Sequence, residues 1–215
     1  MRAQSWGPAK CSIIGRMTLE QEIKNKARAL GFDAVGITDA APLDATHVAR
    51  FQTWLDSGCA GAMHYMQRNF EKRIDPGALL DRAASVIVVA LNYKPEVSRA
   101  AVPRPETPPL GTVAQYAQYD DYHTFMRPLL HELADFIRSA TNGDARFKAC
   151  VDSVPLAERA LAVRAGLGFI GRNHMLIHPK LGPQVFLGEL ITTVRLDPDA
   201  PAACSCASTG RWRPR

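Results

Sequence analysis

The chain has 215 residues, of which 47% are hydrophobic and 22% charged, a balance that suits one globular domain with a sizeable core and excludes fibrous or low-complexity classes. Its longest apolar run, 86–91, is far too short to span a bilayer, and no basic start leads into an apolar leader. The formal charge of +5 does not point to nucleic acid: segments 1–16 and 203–215 hold six basic residues and no acid, leaving 20 Lys and Arg against 21 Asp and Glu between them.

Residues 1–16 carry no periodicity and read as an extension outside the fold; 17–202 reads as one domain, and 203–215 as a tail unlike the body. Thr18, with Gln21 three residues on, predicts a capping box. The helix it opens carries Leu19, Ile23, Ala27 and Leu30 on one face and stops at Gly31. A short strand over 33–38 follows, then a helix over about 43–57 ending at Gly58 and a short helix from Ala62. The run 85–91 is β-branched and apolar throughout, which suits a strand covered on both faces. Five prolines in 94–112 predict an exposed loop.

The second half starts with a long helix over 121–140, with Phe125, Leu129, Leu133 and Phe136 on its apolar stripe. A strand over 147–151 follows, in which Cys150 is expected to be buried, then a helix over 157–165 with Pro155 near its start. Two more strands are expected around 174–178 and 184–195. The pattern predicts an α/β chain of the mixed α+β kind: a single domain with a mixed sheet flanked by helices.

Gly166, Gly168 and Gly171 match the G-x-G-x-x-G dinucleotide fingerprint, but they follow a helix and precede a β-like run. The fingerprint needs the reverse order, so that amides at a helix N-terminus face the pyrophosphate. Gly166 is better read as a helix C-cap, and the other two as places where backbone approaches closely. Asp152 stands at the end of an apolar strand just before a helix, where ligands collect in α/β domains; capping of that helix is the competing role. None of His64, His123 and His174 has a partner at helix-borne metal spacing, so no metal ligand is assigned. Five cysteines (Cys11, Cys59, Cys150, Cys204 and Cys206) without a secretory leader do not form a disulfide framework, and a cytoplasmic location is expected.

Several ordered motifs together carry a resemblance: Asp152-Ser-Val-Pro155 with Glu158-Arg159, Gly166-Leu-Gly-Phe-Ile-Gly-Arg-Asn173, and Phe186-Leu-Gly-Glu-Leu190. Tyr116-Ala117 before Asp121-Tyr-His123, and Glu71-Lys-Arg73 before the strand at Ser85, extend it. Over about residues 17–201 the chain resembles the cobalamin-binding domain of epoxyqueuosine reductases. The resemblance implies an oxidoreductase that reduces an epoxide on the modified wobble base of tRNA to an alkene, the last step of queuosine formation. It implies cobalamin and two 4Fe–4S clusters, an external low-potential electron donor, no membrane and a monomeric protein. It makes Asp152 the proton donor, its carboxyl kept protonated by burial beside the large apolar corrin, and Arg73, Ala114, Asp152, Leu176 and Leu187 cobalamin contacts. Arg159, Tyr122 and His123 would face the substrate.

The family continues into cysteine runs that hold four thiolates per cluster, whereas this sequence offers Cys204 and Cys206 and then an Arg-rich, acid-free tail. The ferredoxin-like 4Fe–4S domain is therefore expected to be absent from this chain, as after a truncation or frameshift. A corrinoid-binding fragment without turnover, and a dehalogenase-like cobalamin reductase that does not act on tRNA, stand as the alternatives.

Overall fold

Helix α1 (Leu19–Ala29) begins with the expected reciprocal cap: Thr18 Oγ1 accepts the Gln21 N–H at 3.4 Å, and Gln21 Oε1 accepts the Thr18 N–H at 3.1 Å. The computed structural model describes residues 17–94, 111, 113–141 and 143–202. The expected extension 1–16, most of the proline-rich loop 94–112 and the tail 203–215, with Cys11, Cys204 and Cys206, lie outside the described residues.

Along the chain follow β1 (Ala34–Asp39), α2 (Ala45–Asp56), α3 (Tyr65–Arg68), α4 (Phe70–Ile74) and β2 (Ser85–Asn92). The second half supplies α5 (Tyr122–Ala140), β3 (Phe147–Cys150), α6 (Glu158–Arg164), β4 (Phe169–Ile170), β5 (Leu176–Ile177) and β6 (Val185–Thr192). Four strands form the main sheet in the order β1-β2-β6-β3, and β4 and β5 form a small hairpin. The architecture is the expected mixed α+β one, with helices flanking a sheet. In direction, however, the sheet is antiparallel throughout rather than mixed. The chain re-enters the sheet at the end it left: Asp39, where β1 stops, pairs with Ser85, where β2 starts.

Two apolar layers cover the sheet. On one face, α1 and α5 bury Ile23, Ala27, Met126, Leu130, Leu133 and Ile137 against Ile87, Val89 and Leu190. On the other, α6 buries Leu161 and Ala162 against Val86, Val88, Cys150 and Ile191. The expectation that β2 is covered on both faces holds, since Val86 to Ala90 are all at 0% exposure. The stripe expected on α5 is displaced: Phe125 is 58% exposed, and the fully buried positions are Met126, Leu130, Leu133 and Ile137. Leu133 belongs to both stripes; the true one is turned so that its longest side chains reach over Gly188, where an added Cβ would lie 3.0 Å from Met126 Cε.

After β6 the chain passes along the free edge of β1. Asp199 N donates to Ile37 O at 2.8 Å, and Ile37 N donates to Asp199 Oδ2 at 2.8 Å, while Lys24 of α1 pairs with the same carboxylate. The glycine run behaves as its order implied. Gly166 ends α6 with φ of +78°, and a Cβ on Gly168 would lie 2.2 Å from Ile177 O. That close backbone approach seats the β4–β5 hairpin.

Candidate active site

Strand β3 ends at Cys150, buried like Val151 after it, and the chain then turns sharply at Asp152, whose φ is +50°. A non-glycine residue in this region costs about 1–2 kcal/mol, which Asp tolerates better than most because its short side chain bonds locally. Asp152 does not cap α6. Instead Glu158, the first residue of α6, reaches back so that its Oε1 accepts the Asp152 N–H at 2.9 Å. From the other side of the sheet, α5 holds the turn at two points. Tyr122 donates its hydroxyl to Asp152 Oδ2 at 3.0 Å, and Arg127 Nη2 donates to Ser153 Oγ at 2.7 Å. Helix α6 is pinned in turn by Arg164, which donates to Thr38 Oγ1 at 2.9 Å and to Asp39 O at 2.8 Å at the end of β1.

This turn forms part of the wall of a cavity of about 920 Å³. Arg73 of α4, Asp152, Glu158, Arg159 and His174 all line it, with Phe51, Met66, Leu156, Val163 and Ile170 as its apolar surface. His174 shares the unusual backbone of Asp152, with φ of +61°, and its carbonyl accepts from Arg159 Nη1. Arg73 packs its guanidinium over the Phe51 ring at 6.0 Å, and its buried Nε has no hydrogen-bond partner among the described residues. A second cavity of about 370 Å³ lies beside Tyr93, Tyr119, Tyr122, Phe125 and Phe186. There Tyr122 stacks on Phe186 at 4.1 Å and on His123 at 4.2 Å.

Asp152 is exposed, and the carboxyls raised at this turn are those of two neighbours. Burial, with Asp152 close by, pushes the Glu158 carboxyl up to about 7. Glu189 of β6 is at 0% exposure, both its oxygens lack a partner, and burial first, then Glu158 and Asp152, raise it well above the usual carboxylate range. Burial and the phenol's bond to Asp152 likewise raise the Tyr122 hydroxyl above its ordinary value.

The structure thus brings Arg73, Asp152 and Arg159 to one cavity. Tyr122 reaches Asp152 from the second cavity, and His123 stands next to it with Nδ1 2.6 Å from Asp121 Oδ1. Ala114 is exposed, Leu176 is 2% exposed and Leu187 is half-buried; none of the three lines the large cavity. Among the described residues no three His, Cys, Asp or Glu side chains are grouped as metal ligands.

The family model described as epoxyqueuosine reductase QueG, DUF1730, matches residues 73–153, a span that starts at Arg73 and takes in Tyr122, His123 and Asp152. An epoxyqueuosine reductase of Pseudomonas aeruginosa is 39% identical over 181 residues, covering 84% of this chain and 49% of the relative. Over most of its own length the chain is similar to epoxyqueuosine reductases. It spans about half the length of the curated relatives it matches. A solved epoxyqueuosine reductase bound to an epoxyqueuosine-modified tRNA-Tyr stem loop superposes with a TM-score of 0.73 at 32% identity, over 88% of this chain and 49% of that one. A Bacillus subtilis epoxyqueuosine reductase, solved with an aspartate-bearing catalytic loop swung out of its active site, gives 0.68 at 30% identity over 88% of this chain and 49% of that one.

Sequence reasoning passed over His47, Phe51, Tyr65 and Met66, which line the large cavity from α2 and α3. Those helices carry no motif, so nothing local marked them. Glu189 did leave a signal: it is the one acid inside the apolar run 185–191.

Proposed function

We propose that this chain is the corrinoid- and substrate-binding part of an epoxyqueuosine reductase, and that Asp152 donates a proton to the epoxide oxygen of epoxyqueuosine in tRNA. The observation that carries the reading is the strained turn at Asp152, held by Tyr122 and Glu158 against a cavity that Arg73 also lines. The relatives' epoxyqueuosine reductase identity, the tRNA stem loop bound by one and the catalytic aspartate loop of another support it.

The large cavity suits a corrinoid. Its apolar wall fits a macrocycle, and the unpartnered Arg73 Nε suits the carboxamides or phosphodiester such a cofactor carries. When bound, the corrinoid supplies low-potential electrons to the substrate. Arg73 would hold its periphery, while Ala114, Leu176 and Leu187, which stand off the wall of this cavity, would serve only where the corrinoid extends beyond it. Cover by a large apolar face would also desolvate Asp152, which is exposed in the protein alone. Arg159 would face tRNA phosphate or base, and Tyr122 with His123 the substrate ring.

The described residues do not fit a 4Fe–4S cluster, which takes four thiolates: Cys59 is exposed and Cys150 buried, and both are free. Electrons in this reading come from a low-potential donor beyond these residues.

The test is corrinoid binding together with single-turnover reduction of an epoxyqueuosine-bearing stem loop under a chemical reductant. Arg73→Ala should weaken corrinoid binding about 10- to 100-fold. Asp152→Asn should keep the binding and lower turnover by about 100-fold or more. Unchanged turnover in Asp152→Asn sinks the proton-donor role, and no corrinoid binding by the wild-type chain sinks the reading as a whole.

A further inference from the structure

Reducing an epoxide to an alkene consumes two electrons and two protons. One C–O bond opens and its oxygen takes the first proton; the second C–O bond breaks as that oxygen takes the second and leaves as water. Asp152 carries one proton, so a turnover needs it reloaded or a second acid brought to bear. We propose that Glu158 reloads Asp152, and that Glu189 beneath it is a neutral carboxylic acid that keeps the floor of the site uncharged. The proposal rests on the reading of the preceding subsection and extends it to two carboxyls that reading does not use.

Glu158 Oε1 accepts the Asp152 N–H, so the proton of the neutral acid sits on Oε2, and both residues line the same cavity. Glu189 pairs across the sheet with Cys150 on one side and Val88 on the other, both members of the layer beneath α6. Its side chain therefore points to the Asp152–Glu158 face. A carboxylate fully enclosed with no donor to either oxygen is too costly to keep charged, so Glu189 holds its proton.

The charges around the pair fix their order. Asp152 opposes the Glu158 charge, while Arg159 and Arg73 favour it more weakly than burial disfavours it. Glu189 faces Glu158 and Asp152, with the Cys150 thiol, pushed up to about 12, as its neutral neighbour on β3. Lys148 and Arg127 act on the Cys150 thiol in the lowering direction, more weakly than its burial raises it. The Tyr122 phenol stays protonated and bonded to Asp152. With its midpoint at about 7, Glu158 is near half-protonated at neutrality, so it can both give a proton to Asp152 and regain one from solvent through the cavity. Glu189 has no such exchange route and acts as a positioning residue.

Carboxyl-labelled glutamate NMR on the chain, assigned with Glu158→Gln and Glu189→Gln, tests this without turnover. Glu158 should titrate near 7 and Glu189 well above the usual range, and Asp152→Asn should lower the Glu158 midpoint. A Glu158 midpoint at the ordinary carboxylate value, or one unmoved by Asp152→Asn, overturns the proposal. In single turnover with corrinoid, chemical reductant and substrate stem loop, the wild-type rate should fall as pH rises through about 7. Glu158→Gln keeps an acceptor for the Asp152 N–H but carries no proton. It should slow turnover by about 100-fold and flatten that profile, with partial rescue by Glu158→Asp. A Glu158→Gln rate and profile matching wild type refute it. Absence of turnover in wild type counts against the catalytic reading above, and the titration then decides the carboxyl order by itself.

Discussion

Asp152 and His174 line one cavity with backbones at φ of +50° and +61°, where most side chains are strained. At Asp152 the strain is held by three bonds: Glu158 on its N–H, Tyr122 on its carboxylate, and Arg127 on the next residue. Asn tolerates left-handed backbone about as well as Asp, and a β-branched residue does not. Asp152→Asn should therefore unfold in urea within about 0.5 kcal/mol of wild type, and Asp152→Val should lose about 1–3 kcal/mol. At this scale the sequence singled out Asp152 by its place at a strand end and by the motifs around it, and the structure sets it in the wall of the large cavity. The sequence did not show the tie from Glu158 or the exposure of Asp152, because both depend on how α6 docks, and that docking is set by Arg164 reaching residues more than a hundred positions earlier.

Among the elements, α5 is the informative case. Its bounds were legible from the apolar spacing over 121–140, yet the buried stripe runs through Met126, Leu130, Leu133 and Ile137. Two overlapping stripes fit a 3.6-residue period, and only the partner surface chooses between them. Gly188 on β6 makes the choice, since its missing side chain leaves the space that Met126 and Leu130 fill. Met126→Ala should cost about 2–5 kcal/mol in chemical denaturation, whereas Phe125→Ala should stay within about 0.5 kcal/mol, despite Phe being the larger apolar residue. Strand β2 was read almost to the residue, and β6 with three residues too many at its end, because a sheet centre buried on both faces admits only one kind of sequence. The direction of the strands was not, since that depends on which end of the sheet each excursion returns to.

For the molecule as a whole, the two raised glutamates set the pH dependence of stability. A carboxyl whose pKa rises on folding binds more protons in the folded than in the unfolded state between the two values. Its contribution is fully present below about 4.5 and is lost as pH rises through about 7 for Glu158. The loss is on the order of 3 kcal/mol, with Glu189 acting in the same direction at higher pH. His178, lowered mainly by burial, works the other way and makes the net fall shallower up to its ordinary value of 6.5, above which the imidazole is neutral folded or unfolded and contributes no slope. Urea midpoints should therefore decline from about pH 5 to about pH 8, and Glu158→Gln should flatten the decline. A wild-type curve that rises over that window would contradict the burial assigned to both carboxyls.

The contact between Asp199 and Ile37 gives the sheet one closed flank. A β-strand at a sheet border offers unpaired amides and carbonyls to any extended chain that drifts by, and β1 is such a border strand, six residues long and mostly buried. Asp199 occupies its central donor with a side-chain oxygen and its acceptor with a backbone N–H, so a single residue imitates the first rung of a fifth strand and stops there. Growth by strand addition is then left to β3, only four residues long, on the far side. The sheet is a self-terminating stack, and its stopper lies in the stretch that runs on from the glutamate-bearing strand.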